Sequence, residues 1–114
     1  MPDVVKITKL KISKTGQPVY IATEYLGAQN LQASAYLRGH DGYCFSGDLG
    51  PATDFKIDKS SVLGSLYSIA VTSKSGPYEF LRRFGYAKET RAFQLVSCDV
   101  RQAPGRWSKC TSNE

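Results

Sequence analysis

With 114 residues and 41% apolar composition, the chain suits one compact domain with a single hydrophobic core and leaves no room for a second. Fifteen Lys and Arg against ten Asp and Glu give a net charge of +5. That balance favours polyanions such as RNA, DNA or anionic lipid over acidic proteins as non-specific partners, unless the basic surface is only solvated. No apolar run approaches the roughly 18 residues of a membrane-spanning helix, and Met1-Pro2-Asp3 opens no signal-type stretch, so a soluble chain without membrane contact is expected. The compartment stays open, because a mature form carrying an added methionine would begin in the same way.

In chain order, Val5 to Ile12 alternates and reads as a lysine-bearing edge strand, with Lys6, Lys9, Lys11 and Lys14 discouraging pairing to other chains rather than marking a nucleic-acid site. Ser13 to Gln17 is a turn. Pro18 suits the first turn of a helix, and Ile21, Tyr25, Ala28, Leu31 or Gln32, and Ala35 follow at helical spacing. This predicts a helix over 18–37, stopped at Gly39.

Five short strands are expected after it: Tyr43 to Ser46, Asp54 to Ile57, Ser65 to Thr72, Tyr78 to Arg82, and Arg91 to Cys98. In the third, Tyr67, Ile69 and Val71 face the helix while Ser68 and Ala70 look outward. The expected architecture is a single α+β domain, one early helix packed on a four- to five-stranded antiparallel sheet. Its parts are a strand over 1–12, the helix over 18–37, the sheet over 43–98 and a polar tail over 99–114.

Cys44, Cys98 and Cys110 have no C-x-x-C spacing, and the chain has one histidine, so neither a metal nor another cofactor is expected. Cys98 and Cys110 suit a staple of the tail onto the sheet. Alternatively, Cys44 and Cys98 are buried small hydrophobes.

The order of pieces resembles the small fungal ribonucleases of the T1/F1 class, and more closely the ribonuclease-like secreted effectors of powdery mildew fungi. Gly42-Tyr43-Cys44-Phe45 and Phe55-Lys56-Ile57-Asp58 stand where that group has its entry into the sheet and its Phe-x-Val-Asp-like run. Thr72-Ser73-Lys74-Ser75-Gly76 before Tyr78 matches its hairpin, and Phe93 to Cys98 its last strand. The early Tyr-x-Cys of the group is replaced by Leu10-Lys11-Ile12, so the family disulfide has no partner here, and Cys44 is expected buried and unpaired.

The resemblance implies a monomeric, catalytically inactive ribonuclease-like effector, secreted by a fungal pathogen and delivered into the host cell. Its partners would be host RNA or the ribosome, or a host immune receptor or other host protein. An active small ribonuclease and an unrelated β-rich nucleic-acid-binding module are the alternatives. Cleavage through the 2′-hydroxyl needs a base, an acid and a cation. His40 excludes a two-histidine mechanism by count, leaving Glu24, Glu79 or Glu89 as arithmetical bases, and no residue is assigned catalysis. The contact residues expected for RNA or another partner are Arg82, Arg83, Lys88 and Arg91, with Tyr86 and Lys56, which join guanidinium and ammonium groups to an aromatic ring.

Overall fold

The computed structural model describes residues 4–25, 31–63, 66–102 and 105–110, and within them the protein is all β. Strands β1 (Val4–Lys11), β2 (Pro18–Tyr25), β3 (Leu31–Gly39) and β4 (Gly42–Ala52) form one four-stranded sheet. A second, five-stranded sheet holds β5 (Asp54–Leu63), β6 (Leu66–Ser75), β7 (Tyr78–Ala87), β8 (Ala92–Gln102) and the two-residue β9 (Ser108–Lys109). Both are antiparallel meanders in chain order.

The expected α+β architecture is therefore corrected. The stretch read as a helix over 18–37 is occupied by β2 and β3, with residues 26–30 outside those described, and the sheet expected over 43–98 is divided, because β4 belongs with β1 to β3. The physical reason is the period of burial. Val19, Ile21 and Thr23 are buried while Tyr20, Ala22 and Glu24 are not, and in β3 Ala33 and Ala35 alternate in the same way. Two-residue alternation with β-branched side chains at the buried positions satisfies a sheet, whereas a helix over the same residues would scatter them around its circumference. The spacing of Ile21, Tyr25 and Ala28 is coincidental.

The sheets close on each other around Ile12, Val19, Ile21, Ala33, Ala35 and Leu49 from the first and Leu66, Ile69, Val71, Phe84 and Phe93 from the second. Ile69 and Val71 of β6 are fully buried, as the alternation predicts, and Tyr67 packs against the core. Ser68 and Ala70, expected outward, are also buried, at 1% and 3% exposure. They lie on the outer face of β6, an interior strand, where Asp58 flanks Ser68, and Lys56 and Arg83 flank Ala70.

Strand β4 packs against β6 and β8. Gly47 makes this approach possible: its φ is +128°, and a Cβ there would stand 2.9 Å from the Phe93 carbonyl oxygen. At another corner the Tyr67 N–H donates to the Ile12 carbonyl at 2.8 Å, and the Thr53 N–H, at the crossing from β4 to β5, donates to the Thr72 carbonyl at 2.7 Å. Cys98 and Cys110 form a disulfide that holds β9 on β8, with the Cys110 N–H donating to the Cys98 carbonyl at 2.9 Å. Cys44 is unpaired, but it is exposed rather than buried.

Candidate functional site

The strand registers place the side chains on the outer face of the four-stranded sheet in rows. Lys9 of β1 stands opposite Tyr20 of β2, which stands opposite Tyr36 of β3, which stands opposite Phe45 of β4. Beside that row, toward the β1–β2 turn, run Lys11, Pro18, Arg38 and Tyr43. On its other side come Ile7, Ala22, Ser34 and Asp48. Alternation alone produces this arrangement, because the partners Val19, Ile21, Ala33 and Ala35 have all turned into the core.

This face is apolar where a solvated sheet is ordinarily polar. Ile7, Tyr43 and Phe45 are 67%, 61% and 60% exposed. Tyr43 leans across β3 to bring its ring centroid 4.9 Å from that of Tyr20, and Tyr36 meets Phe45 edge-on at 5.7 Å. The Lys9 ammonium lies 5.9 Å from the Tyr20 ring centroid, within the range of a cation–π contact. A cleft of about 430 Å³ opens among Ile7, Lys9, Tyr20, Ala22, Tyr36 and Tyr43. The methyl side chain of Ala22, between bulkier neighbours, leaves that space unfilled.

Charge is graded along the face. Lys11 and Arg38 occupy the end near the β1–β2 turn, while Glu24 and Asp48 occupy the other. Asp48 is held by the Gln32 amide and by the Gly50 N–H at 2.9 Å. Next to Arg38 a second, open recess of about 510 Å³ is lined by Gln17, Pro18, Arg38, Gly39 and His40.

The contact residues expected from the sequence do not assemble into one patch. Arg82 and Arg83 are consecutive on β7 and point to opposite faces. Arg82 turns between the sheets, donating to the Pro51 carbonyl at 2.8 Å and the Ser73 hydroxyl at 3.3 Å. Gly50, with φ of +75°, makes room for it, since a Cβ there would meet the guanidinium at 3.1 Å. Burial pushes the Arg82 pKa below its ordinary value, opposed by the nearby Asp48 charge. Its Nε is buried and has no hydrogen-bond partner among the described residues.

Arg83 points to the outer face of the five-stranded sheet and pairs with Asp58 at 2.8 Å and Asp99 at 3.6 Å. Tyr86 packs edge-on against Phe93 and the core. Lys88 and Arg91 are exposed at the β7–β8 turn, and Lys56 is exposed on β5.

The candidate bases are dispersed as well. Glu24 lies six residues along β2 from Pro18, about 20 Å at strand rise, Glu79 pairs with Arg101 at 2.8 Å, and Glu89 sits in the β7–β8 turn. The recess holding His40 has an imidazole and a guanidinium on its walls but no carboxylate.

The residues that sequence reasoning missed are Tyr20, Tyr36, Tyr43, Phe45, Lys9 and Arg38. The signal for Tyr20 was the alternation of Val19, Ile21 and Thr23 with Tyr20, Ala22 and Glu24, and for Tyr36 that of Ala33 and Ala35 with Ser34 and Tyr36, both fitting period two as well as the rejected helix fits 3.6. Comparison with protein-family models, curated proteins and solved structures gave no match, and nothing in it links the chain to the ribonuclease-like effectors.

Proposed function

We propose that this protein binds single-stranded nucleic acid, without cleaving it, on the outer face of its four-stranded sheet. The observation that carries this reading is a group of four aromatic rings on one outer face, half-buried Tyr20 and Tyr36 with exposed Tyr43 and Phe45, bordered by Lys9, Lys11 and Arg38. Unstacked bases use aromatic side chains on a sheet as platforms, and basic side chains beside them track the phosphates. The 430 Å³ cleft has room for a base against Tyr20 and Tyr36. The net charge of +5 adds a long-range attraction of the right sign.

The preference for a binder over a nuclease rests on the recess that holds His40, whose described lining residues include no carboxylate, and on Glu79 being paired with Arg101. A general base and acid must both reach the same phosphodiester. The Cys98–Cys110 disulfide favours an oxidising compartment, in keeping with export. A role in the host of a fungal pathogen, and recognition there by an immune receptor, were implied by the ribonuclease-like fold and lose that support with it.

Fluorescence anisotropy with labelled single-stranded and duplex oligonucleotides, in EDTA, tests the reading. Single strands are expected to bind more tightly than duplexes, and the oligonucleotides to remain intact. Replacing both Tyr20 and Tyr36 by alanine is expected to weaken single-strand binding by about 100-fold, since stacking on an aromatic side chain contributes roughly 1–3 kcal/mol per base. Equal affinity for duplex, or an unchanged Kd in the double variant, would remove the aromatic face from consideration.

A further inference from the structure

We infer that the recess formed by Gln17, Pro18, Arg38, Gly39 and His40 is the phosphate subsite of this face, holding a phosphodiester whose neighbouring base lies in the cleft against Tyr36. The inference rests on the reading of the aromatic face as a single-strand platform, and it fixes which cation meets the backbone.

Three observations converge on it. The first is continuity. Arg38 follows Tyr36 by two residues on β3 and stands opposite Tyr43 on β4, so the recess begins where the aromatic cleft ends. Two residues of strand span about 7 Å, a separation a nucleotide bridges between its base and the adjoining backbone phosphate.

The second is the state of the cation. Of the described arginines on strand faces, Arg82 is taken up by Pro51 and Ser73, Arg83 by Asp58 and Asp99, and Arg101 by Glu79 and the Trp107 ring. Arg38 is exposed and has no ion-pair or hydrogen-bond partner among the described residues. Its planar donors are therefore available for bidentate contact with phosphate oxygens. The Gln17 amide and the His40 ring, on the same walls, supply further donors.

The third is the gradient of charge. Lys11 and Arg38 lie at the recess end of the face, and Glu24 and Asp48 at the other, so a polyanion is drawn toward the recess and away from the far edge. The apolar walls of the cleft, with Lys9 as their one charge, suit a base rather than a phosphate.

The test is a salt titration of single-stranded RNA binding by the whole protein and by three variants, Arg38→Gln, Lys56→Gln and Tyr36→Ala, each checked for its fold by circular dichroism. Loss of one phosphate contact lowers the slope of log affinity against log salt by about 0.7 for a single strand. Arg38→Gln is expected to show that decrease, with about tenfold weaker binding at low salt that is alike for all base sequences. Lys56→Gln removes the same charge from the other sheet and is expected to leave the slope unchanged. Tyr36→Ala is expected to weaken binding with its slope retained.

An unchanged slope in Arg38→Gln, or an equal decrease in Lys56→Gln, overturns the subsite while leaving the aromatic platform standing. Unchanged affinity in Tyr36→Ala, or no binding by the unaltered protein at low salt, overturns the platform and the subsite together.

Discussion

The two sheets present opposite solutions to having an outer face in water. On the five-stranded sheet, several charges of opposite sign on different strands pair with one another. Arg83 reaches Asp58 and Asp99, and Arg101 reaches Glu79 while its guanidinium lies 4.5 Å from the Trp107 ring centroid. On the four-stranded sheet the central positions are Tyr20, Tyr36 and Phe45, and the cations beside them are Lys9, within reach of a ring, Lys11, and Arg38, with no partner among the described residues. A face whose polar groups are already paired gains little from a ligand, because binding would exchange one set of contacts for another. A face with exposed rings and an unpaired guanidinium gains from both. The number of basic residues on a surface is therefore a poorer guide to its partner than whether those residues are already occupied.

Exposed apolar area is not confined to the aromatic face. Leu95 and Val96 are 55% and 57% exposed on β8, where the register with β7 shifts between Arg83 and Phe84. Leu95 stands opposite Phe84 and Ser97 opposite Arg83, which leaves Val96 as the extra residue of a bulge. A bulge of this kind re-aims side chains that strict alternation would have buried. The exposure there follows from the irregularity of one strand, while the aromatic group of Tyr20, Tyr36, Tyr43 and Phe45, with Tyr43 and Phe45 exposed, is assembled from three strands in register.

The sharpest way to separate the two faces is to loosen one and read the other. The Cys98–Cys110 disulfide closes a segment with a sequence separation of 12 at the edge of the five-stranded sheet. The double variant Cys98→Ser/Cys110→Ser is expected to lose about 3 kcal/mol of stability in urea, the loop-closure entropy of a cross-link of that span. At concentrations where the variant remains folded, its affinity for single-stranded RNA is expected to match that of the unaltered protein. A Kd that rises with loss of the disulfide would mean that the edge at β9 shares in the interface.

Much of the second half of the fold was legible in the sequence. The five runs expected as strands lie within or largely overlap β4 to β8, because Gly, Pro, Asp and Ser punctuate them and Ile69 and Val71 alternate cleanly. What failed was residues 18–37, where Pro18 is compatible with a helix start and equally with the first residue of a strand. Helical spacing was found there by selecting Ile21, Tyr25 and Ala28 and passing over Val19 and Thr23. The division into two sheets had no local signature at all. It depends on Gly47 allowing β4 to approach β8 and on the crossing at Thr53, both settled only by tertiary packing.

The basic cluster was misleading for a related reason. Adjacency in sequence places Arg82 and Arg83 on opposite faces of a strand, so the two cannot act on one ligand as a pair. Arg82 joins the sheets through Pro51 and Ser73. Arg82→Ala would leave the Pro51 carbonyl and Ser73 hydroxyl without that donor, and is expected to cost about 2 kcal/mol of stability. Single-strand binding should be unaffected. Chemical denaturation and anisotropy on the same preparation measure both, and an affinity loss without a stability loss would mean that the guanidinium is available to ligand after all.

The smallest effect is expected at Arg83, and it bears most directly on the choice between faces. Its Nε lies 2.8 Å from Asp58 and its Nη1 lies 3.6 Å from Asp99, with about a third of its side chain exposed. An ion pair in that setting contributes at most about 1 kcal/mol, because solvent screens it and two long side chains must be held in one geometry. Two carboxylates face this one guanidinium, so a phosphate approaching it would have to displace an existing anion and meet the other. Arg83→Gln removes one positive charge from the whole protein, and at 0.1 M salt that charge is screened beyond about 10 Å. Its distance effect on ligand at the other face is therefore small. The expected outcome is a destabilisation below about 1 kcal/mol, a Kd changed by less than about twofold and a salt slope equal to that of the unaltered protein. Should Arg83→Gln instead lower the slope by about 0.7 while Arg38→Gln leaves it unchanged, the paired face would be the nucleic-acid surface and the aromatic face would need a different occupant.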